Sequence, residues 1–240
     1  MTTYLLIDGA MVYGAIEALP AFASPDATWF ASLLPTEGLR LAGPLLMDPQ
    51  QLKKMSGAVQ TQANKIVHAF PHLLHLSIID ADIGFADLAA HLRWFTYFGD
   101  TDGQVYGLRI ADCRVLSYLP RVLGEAQWNA LTAPMQRWRI HDRSGNQQPL
   151  TLDEARRDLK VASTHCQLTQ EQIARLIDAG EADALLAVIE KPPETSHPTD
   201  LQRNFELASR CVERWRASGS GDRRQLIDLA RRSFQKIRST

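Results

Sequence analysis

The sequence predicts an α/β protein of the α+β kind: a mixed sheet-and-helix lobe over residues 1–148, followed by an all-helical lobe over residues 149–240. Three observations predict it. Fifteen of the eighteen aromatic residues precede position 150, so the bulky core material sits in the first part. There, short apolar runs of strand length alternate with stretches whose apolar residues recur every three or four positions. After Gly145-Asn146-Gln147-Gln148-Pro149, a loop-forming run, only the helical spacing continues.

Tyr4 to Ile7 reads as a short apolar strand ending at Asp8-Gly9. Pro49 to Ala69 is predicted as one helix, with Leu52, Met55, Val59, Ala63, Ile66 and Phe70 on one face and Pro71 as its stop. Leu73 to Ile79 is a buried strand closed by Asp80 and Gly84, and Phe85 to Leu92 a short amphipathic helix. Trp94 to Phe98 and Gln104 to Ile110 are two strands. Gly99-Asp100-Thr101-Asp102-Gly103 joins them, and Gly and Asp tolerate the positive φ of a hairpin turn. Helical stretches at Arg114 to Leu119 and Glu125 to Leu131 precede a strand at Met135 to His141.

In the second lobe, Thr151-Leu152-Asp153-Glu154 and Thr169-Gln170-Glu171-Gln172 both fit the capping box, in which side chains satisfy the orphan donors of a helix start. Gly180 suits a helix C-terminus, and Pro192-Pro193 ends the following helix. Two longer helices, Asp200 to Ala217 and Asp222 to Arg238, flank Ser218-Gly219-Ser220-Gly221. The first aligns Leu201, Phe205, Ala208, Val212 and Trp215, and the second Leu226, Ala230, Phe234 and Ile237. Each stripe needs a partner surface, most simply the rest of a small bundle.

The composition narrows the function classes. A net charge of −1 gives no global field for nucleic acid or an anionic membrane. No apolar run has membrane-spanning length, and the first eight residues lack the basic start of a signal peptide. Cys113, Cys166 and Cys211 are odd in number and widely spaced, as expected of reduced thiols in a cytoplasmic protein.

A search for chemistry nominates no catalytic, cofactor-binding or metal-ligating residue. His68, His72 and His75 with Asp80 and Asp82 come nearest to a metal set, but Pro71 interrupts the helix that would align the imidazoles. Asp80 and Asp82 read as turn acids at a strand end. Asp100 and Asp102 lack the further oxygen ligands of a calcium site. Charge is asymmetric: +6 from Leu201 to Thr240 against −5 from Thr151 to Asp200. Apart from Trp215 and Phe234 on the apolar stripes, no aromatic residue is interleaved among the arginines, so this reads as a solvated or protein-binding face ahead of a nucleic-acid one.

Several of these stretches together resemble the type VI secretion effector-adaptor family, domain of unknown function 4123. They are Tyr4-Leu5-Leu6-Ile7-Asp8-Gly9-Ala10, Gly43-Pro44-Leu45-Leu46, His91-Leu92-Arg93, Asp102-Gly103, Leu108-Arg109-Ile110-Ala111-Asp112 and Arg114-Val115-Leu116, with Leu119-Pro120 after. The resemblance spans roughly residues 4 to 141. The family's usual aromatic-Asp-Pro is Ala111-Asp112-Cys113 here, and its later Gly-Pro is Ala133-Pro134.

The resemblance implies a non-enzymatic adaptor or chaperone that uses no cofactor. Its partners would be a cognate secreted effector and the spike (VgrG-type) protein, with no membrane and no nucleic acid. Asp8, Gly9, Arg93, Arg109, Asp112 and Arg114 carry the motif and are expected to serve structure, with Arg109 pairing to a turn acid. Trp215, Arg214, Arg231 and Phe234 in the helical lobe are the candidate partner-binding residues. Two readings from other classes compete: a metal-dependent hydrolase or nuclease built on Asp80, Asp82 and the histidines, and an arginine-rich nucleic-acid-binding regulator.

Overall fold

Strand β1 (Thr2–Asp8) has side chains that alternate between two cores, Tyr4 and Leu6 on one face and Leu5 and Ile7 on the other. In the computed structural model, which describes residues 1–23, 27–34, 36–154, 166–189 and 197–238, this strand lies inside the main sheet. After it come α1 (Gly9–Ile16), β2 (Phe30–Ser32), β3 (Pro44–Met47), α2 (Pro49–Leu52), α3 (Gly57–Val67) and β4 (Leu76–Ala81). Then follow α4 (Phe85–Arg93), β5 (Tyr97–Gly99), β6 (Val105–Gly107), α5 (Cys113–Leu116), α6 (Leu119–Val122) and α7 (Glu125–Thr132). The chain continues through β7 (Met135–His141), β8 (Gln147–Pro149), β9 (Cys166–Gln167), α8 (Gln170–Val188), α9 (Pro198–Ala217) and α10 (Arg223–Arg238).

The main sheet has the order β2-β3-β1-β4-β7-β8, antiparallel throughout. Helices α1, α2 and α3 cover one face through Val12, Ile16, Leu52, Ala63 and Ile66. Helices α4 to α7 cover the other through Leu88, Leu92, Leu116, Leu119, Trp128 and Leu131. A second sheet, β6-β5-β9, stands beside it. The last three helices form their own core of Leu185, Leu186, Ala208, Val212, Leu226, Ala230 and Phe234. The α+β class is therefore as the sequence predicts. No described helix is long and apolar enough to cross a membrane.

The differences have local causes. The helix expected from Pro49 to Ala69 is two helices, because Ser56 accepts from the Val59 amide and starts a new N-terminus. The strand expected from Leu73 begins at Leu76, since Leu73 takes a positive φ of 54°. Gly180 lies inside α8 rather than at its end, where Ala182, Leu185 and Leu186 bury further along the same helix. The second lobe is not helical only. The 148/149 boundary falls inside β8, which pairs with β7, and β9 adds parallel to β5, so residues past 148 complete both sheets. The capping box at Thr169 is formed reciprocally with Gln172. Pro192-Pro193 and the residues that would continue from Thr151-Leu152-Asp153-Glu154 lie outside the described residues, as does the Ile237 side chain.

Candidate functional site

The last residue of β1, Asp8, caps α1 by accepting from the Met11 amide at 3.2 Å. Its other oxygen accepts from Arg109 Nε at 3.2 Å and Nη2 at 2.7 Å. Gly9 must follow. A β-carbon there would lie 2.1 Å from the Leu41 carbonyl oxygen and 2.3 Å from that of Gly43, to which the Gly9 amide already donates. Asp112 caps α5, accepting from the Arg114 amide at 2.9 Å, and binds the Arg114 guanidinium through both oxygens at 2.8–3.2 Å. Arg109 reaches the same carboxylate at 3.4 Å. Residues 101 positions apart thus close a chain of alternating charge, Asp8–Arg109–Asp112–Arg114, with no net charge.

The two buried acids behave differently. Burial raises the Asp8 pKa and the nearby Asp112 charge adds to that, outweighing its one half-exposed arginine. Burial also acts to raise Asp112, but the Arg114 hydrogen bonds and the charges of both arginines overcome it and hold the carboxyl below its ordinary value. The pairing expected for Arg109 is present, though Arg109 sits in the loop after β6, not on a strand. Cys113 uses an amide that a proline would lack: it donates to the Leu74 oxygen at 3.0 Å, and its thiol to the Leu76 oxygen at 3.1 Å. Burial pushes that thiol up to about 12. Arg93 stands apart, donating from the end of α4 to the Ser32 oxygen at 3.1 Å.

Arg109, Asp112 and Arg114 of this charged chain floor a cleft of about 380 Å³ between the first lobe and the last helices. One wall is Val115 and Tyr118; the other carries Asp183, Asn204 and Phe205. Arg143, in the turn between β7 and β8, grips the second wall, pairing with Asp183 on α8 and stacking its guanidinium 3.6 Å from the Phe205 ring centre on α9. Burial, then the Asp183 charge, pushes the Tyr118 hydroxyl up to about 12, so it is a neutral donor facing the cleft. Tyr118, Arg143, Asp183 and Asn204 are brought to the cleft by the tertiary structure alone. They come from four separate elements or loops, and no local pattern marks them.

The helical-lobe candidates divide. Phe234 is buried and Trp215 half-buried in the three-helix core, with the Trp215 indole donating to the Asp222 oxygen at 3.1 Å. This corrects their expected exposure to a partner: the two stripes satisfy each other and α8. Arg214 and Arg231 are exposed.

His72 and His75 come together, their rings 6.5 Å apart, but among the described residues they form no group with Asp80 and Asp82 that could hold a metal ion. His72 Nδ1 accepts from the Leu74 amide at 3.0 Å while its ring stacks on Phe70, and His75 Nε2 donates to the Ile66 oxygen at 3.0 Å. Asp80 accepts from Thr3 at 2.7 Å and pairs with Arg139 at 2.9 Å, and Asp82 pairs with the Met1 amine. Burial, ahead of any charge, lowers His75 from 6.5 to about 4. The unfolded chain then takes up the proton first as pH falls. This part of the stability is complete above pH 6.5 and is lost on descending towards pH 4, by about 3 kcal/mol. His91, also lowered by burial, adds in the same direction. Urea denaturation between pH 7 and pH 4 is expected to show that slope, and His75→Gln to flatten most of it. An unchanged slope in the variant would refute the assignment.

The family model described as Domain of unknown function (DUF4123) matches residues 3–130. No curated protein and no solved structure matches the chain.

Proposed function

This chain belongs to the DUF4123 family, and from that premise we propose that it is an adaptor of the type VI secretion machinery, binding a cognate effector in the cytoplasm and helping to load it onto the spike protein. The observation that carries the reading is the family match, which spans the whole Asp8–Arg109–Asp112–Arg114 chain. The geometry agrees with it. The motif side chains are held by one another in a fixed, charge-balanced floor, an arrangement suited to presenting a surface. Above them lies an open cleft with polar groups on both walls, of a size to take a segment of another protein.

The exposed face of α9 and α10 is the second part of the reading. With Trp215 and Phe234 turned inward, Arg214 and Arg231 remain to meet an acidic effector surface. A toxin gene is expected next to this one, and co-expression with its product should give one size-exclusion peak containing both chains. Arg214→Glu with Arg231→Glu is expected to weaken capture about tenfold, and more so at low salt, without moving the melting temperature. Separate elution of the wild-type chain and the toxin would remove the adaptor reading. Undiminished capture by the charge-reversed protein would remove the arginine face from it.

A further inference from the structure

Strand β6 is the outer strand of the second sheet, and all three of its residues are exposed, Val105 by 70% and Tyr106 by 44%. Its pairing with β5 fixes which backbone groups are used. The Asp100 amide bonds the Gln104 oxygen and the Leu108 amide the Thr96 oxygen. Tyr106 lies opposite Phe98 in the same register. Residues 104, 106 and 108 therefore face β5, while Val105 and Gly107 turn their N–H and C=O groups away from the sheet. Among the described residues nothing pairs with that edge. The Phe98–Tyr106 ring stack, at 5.3 Å between centres, holds the strand in place.

Sheet edges left open in this way usually carry lysine, proline or a bulge. The outer strand β8 follows that rule, with Gln147, Gln148 and Pro149. β6 carries Val105-Tyr106-Gly107 instead. Its end also leads directly into a groove of about 270 Å³, with Leu39, 51% exposed, on the far wall. Arg109 lies at the groove's edge. Its Nε and Nη2 are spent on Asp8 and Asp112, while the side chain remains 47% exposed, so Nη1 is the face left for a ligand.

We propose that the β6 edge and this groove bind an extended segment of a partner protein by strand addition. The open backbone groups require a strand, the groove takes an apolar side chain, and Arg109 takes a carboxylate beside it. That the segment belongs to the effector rests on the adaptor reading; the site itself does not.

The probe is a capped hexapeptide alternating valine and threonine between two terminal glutamates, added to the full chain and followed by hydrogen exchange. Protection of the Val105 and Gly107 amides is expected, with affinity at least about tenfold weaker when lysines replace the glutamates. Val105→Pro removes one outward donor, a change edge strands tolerate, and should abolish the protection. Leu39→Asp, which leaves the backbone alone, should weaken binding about tenfold. No protection at those amides with about 1 mM peptide would overturn the proposal. So would protection that grows with protein concentration in the absence of peptide, which would assign the edge to a second copy. Peptide docking by a chain that captures no toxin would keep the site and remove the adaptor reading.

Discussion

Replacing Asp112 with alanine is expected to cost about 4 kcal/mol of stability, read as a shift in the urea midpoint and as a fall in melting temperature of roughly 8–16 °C. Three losses combine. The α5 N-terminus loses its cap, which alone is worth about 1 kcal/mol. Arg114, whose side chain is only 14% exposed, keeps its charge and loses the carboxylate that holds it. Arg109 loses its second partner and with it the link between the cap of α1 and the cap of α5. A control separates these from ion pairing in general. Arg216 and Asp178 pair at the same 2.8 Å, but on an exposed surface, so Asp178→Ala should cost under about 1 kcal/mol. Combining Asp112→Ala with Arg114→Met should recover part of the loss, because the stranded charge goes with its partner. A single Asp112→Ala variant within about 1 kcal/mol of the parent would show that the charged chain does not hold this corner of the fold.

Two glycine-to-alanine changes in one helix are expected to act in opposite directions. Gly9→Ala drives a methyl group against the carbonyl oxygens of Leu41 and Gly43, both backbone atoms, at 2.1 and 2.3 Å. The loop cannot retreat easily, because Gly43 is itself pressed against the Leu34 side chain, 2.2 Å from where its own β-carbon would be. The loss should be about 3 kcal/mol or more, at or above the upper end of overpacking costs, with soluble yield falling accordingly. Five residues on in α1, Gly14 is exposed with open space around it, and Gly14→Ala should stabilise by about 0.5–1 kcal/mol through helix propensity. Parallel denaturation curves test the pair. Equal effects in both variants would mean that the close approach at Gly9 relaxes freely.

Much of the fold is legible in the sequence because the signals are short-range. β7 occupies Met135–His141, the residues read as a strand, and α4 runs one residue past its expected end. The β5–β6 turn has Gly103 at a φ of 79°, as Gly and Asp in that run imply. The stripes on α9 and α10 are likewise correct as stripes. What the sequence left open was where each stripe points. An amphipathic face looks the same whether it covers a neighbouring helix or awaits a partner, so Phe234 and Trp215 are open to either role in the sequence, and the structure turns both into the three-helix core.

The candidate site shows the same division. Asp8, Gly9, Arg109, Asp112 and Arg114 stand out in the sequence because their order along the chain carries the family motif; that Asp8 and Asp112 cap α1 and α5 emerges only in the structure. That Asp8 and Arg109 touch is a matter of tertiary structure alone: β1 and the loop after β6 meet only once two sheets and their helices have packed. The two-residue strand β9 has no periodicity to detect, and β5 alone gives it a partner. Chain-local chemistry set which segments coil, extend and turn. Burial and long-range pairing, which depend on every element at once, decided which charges are neutralised, which apolar faces are spent, and which edge stays open.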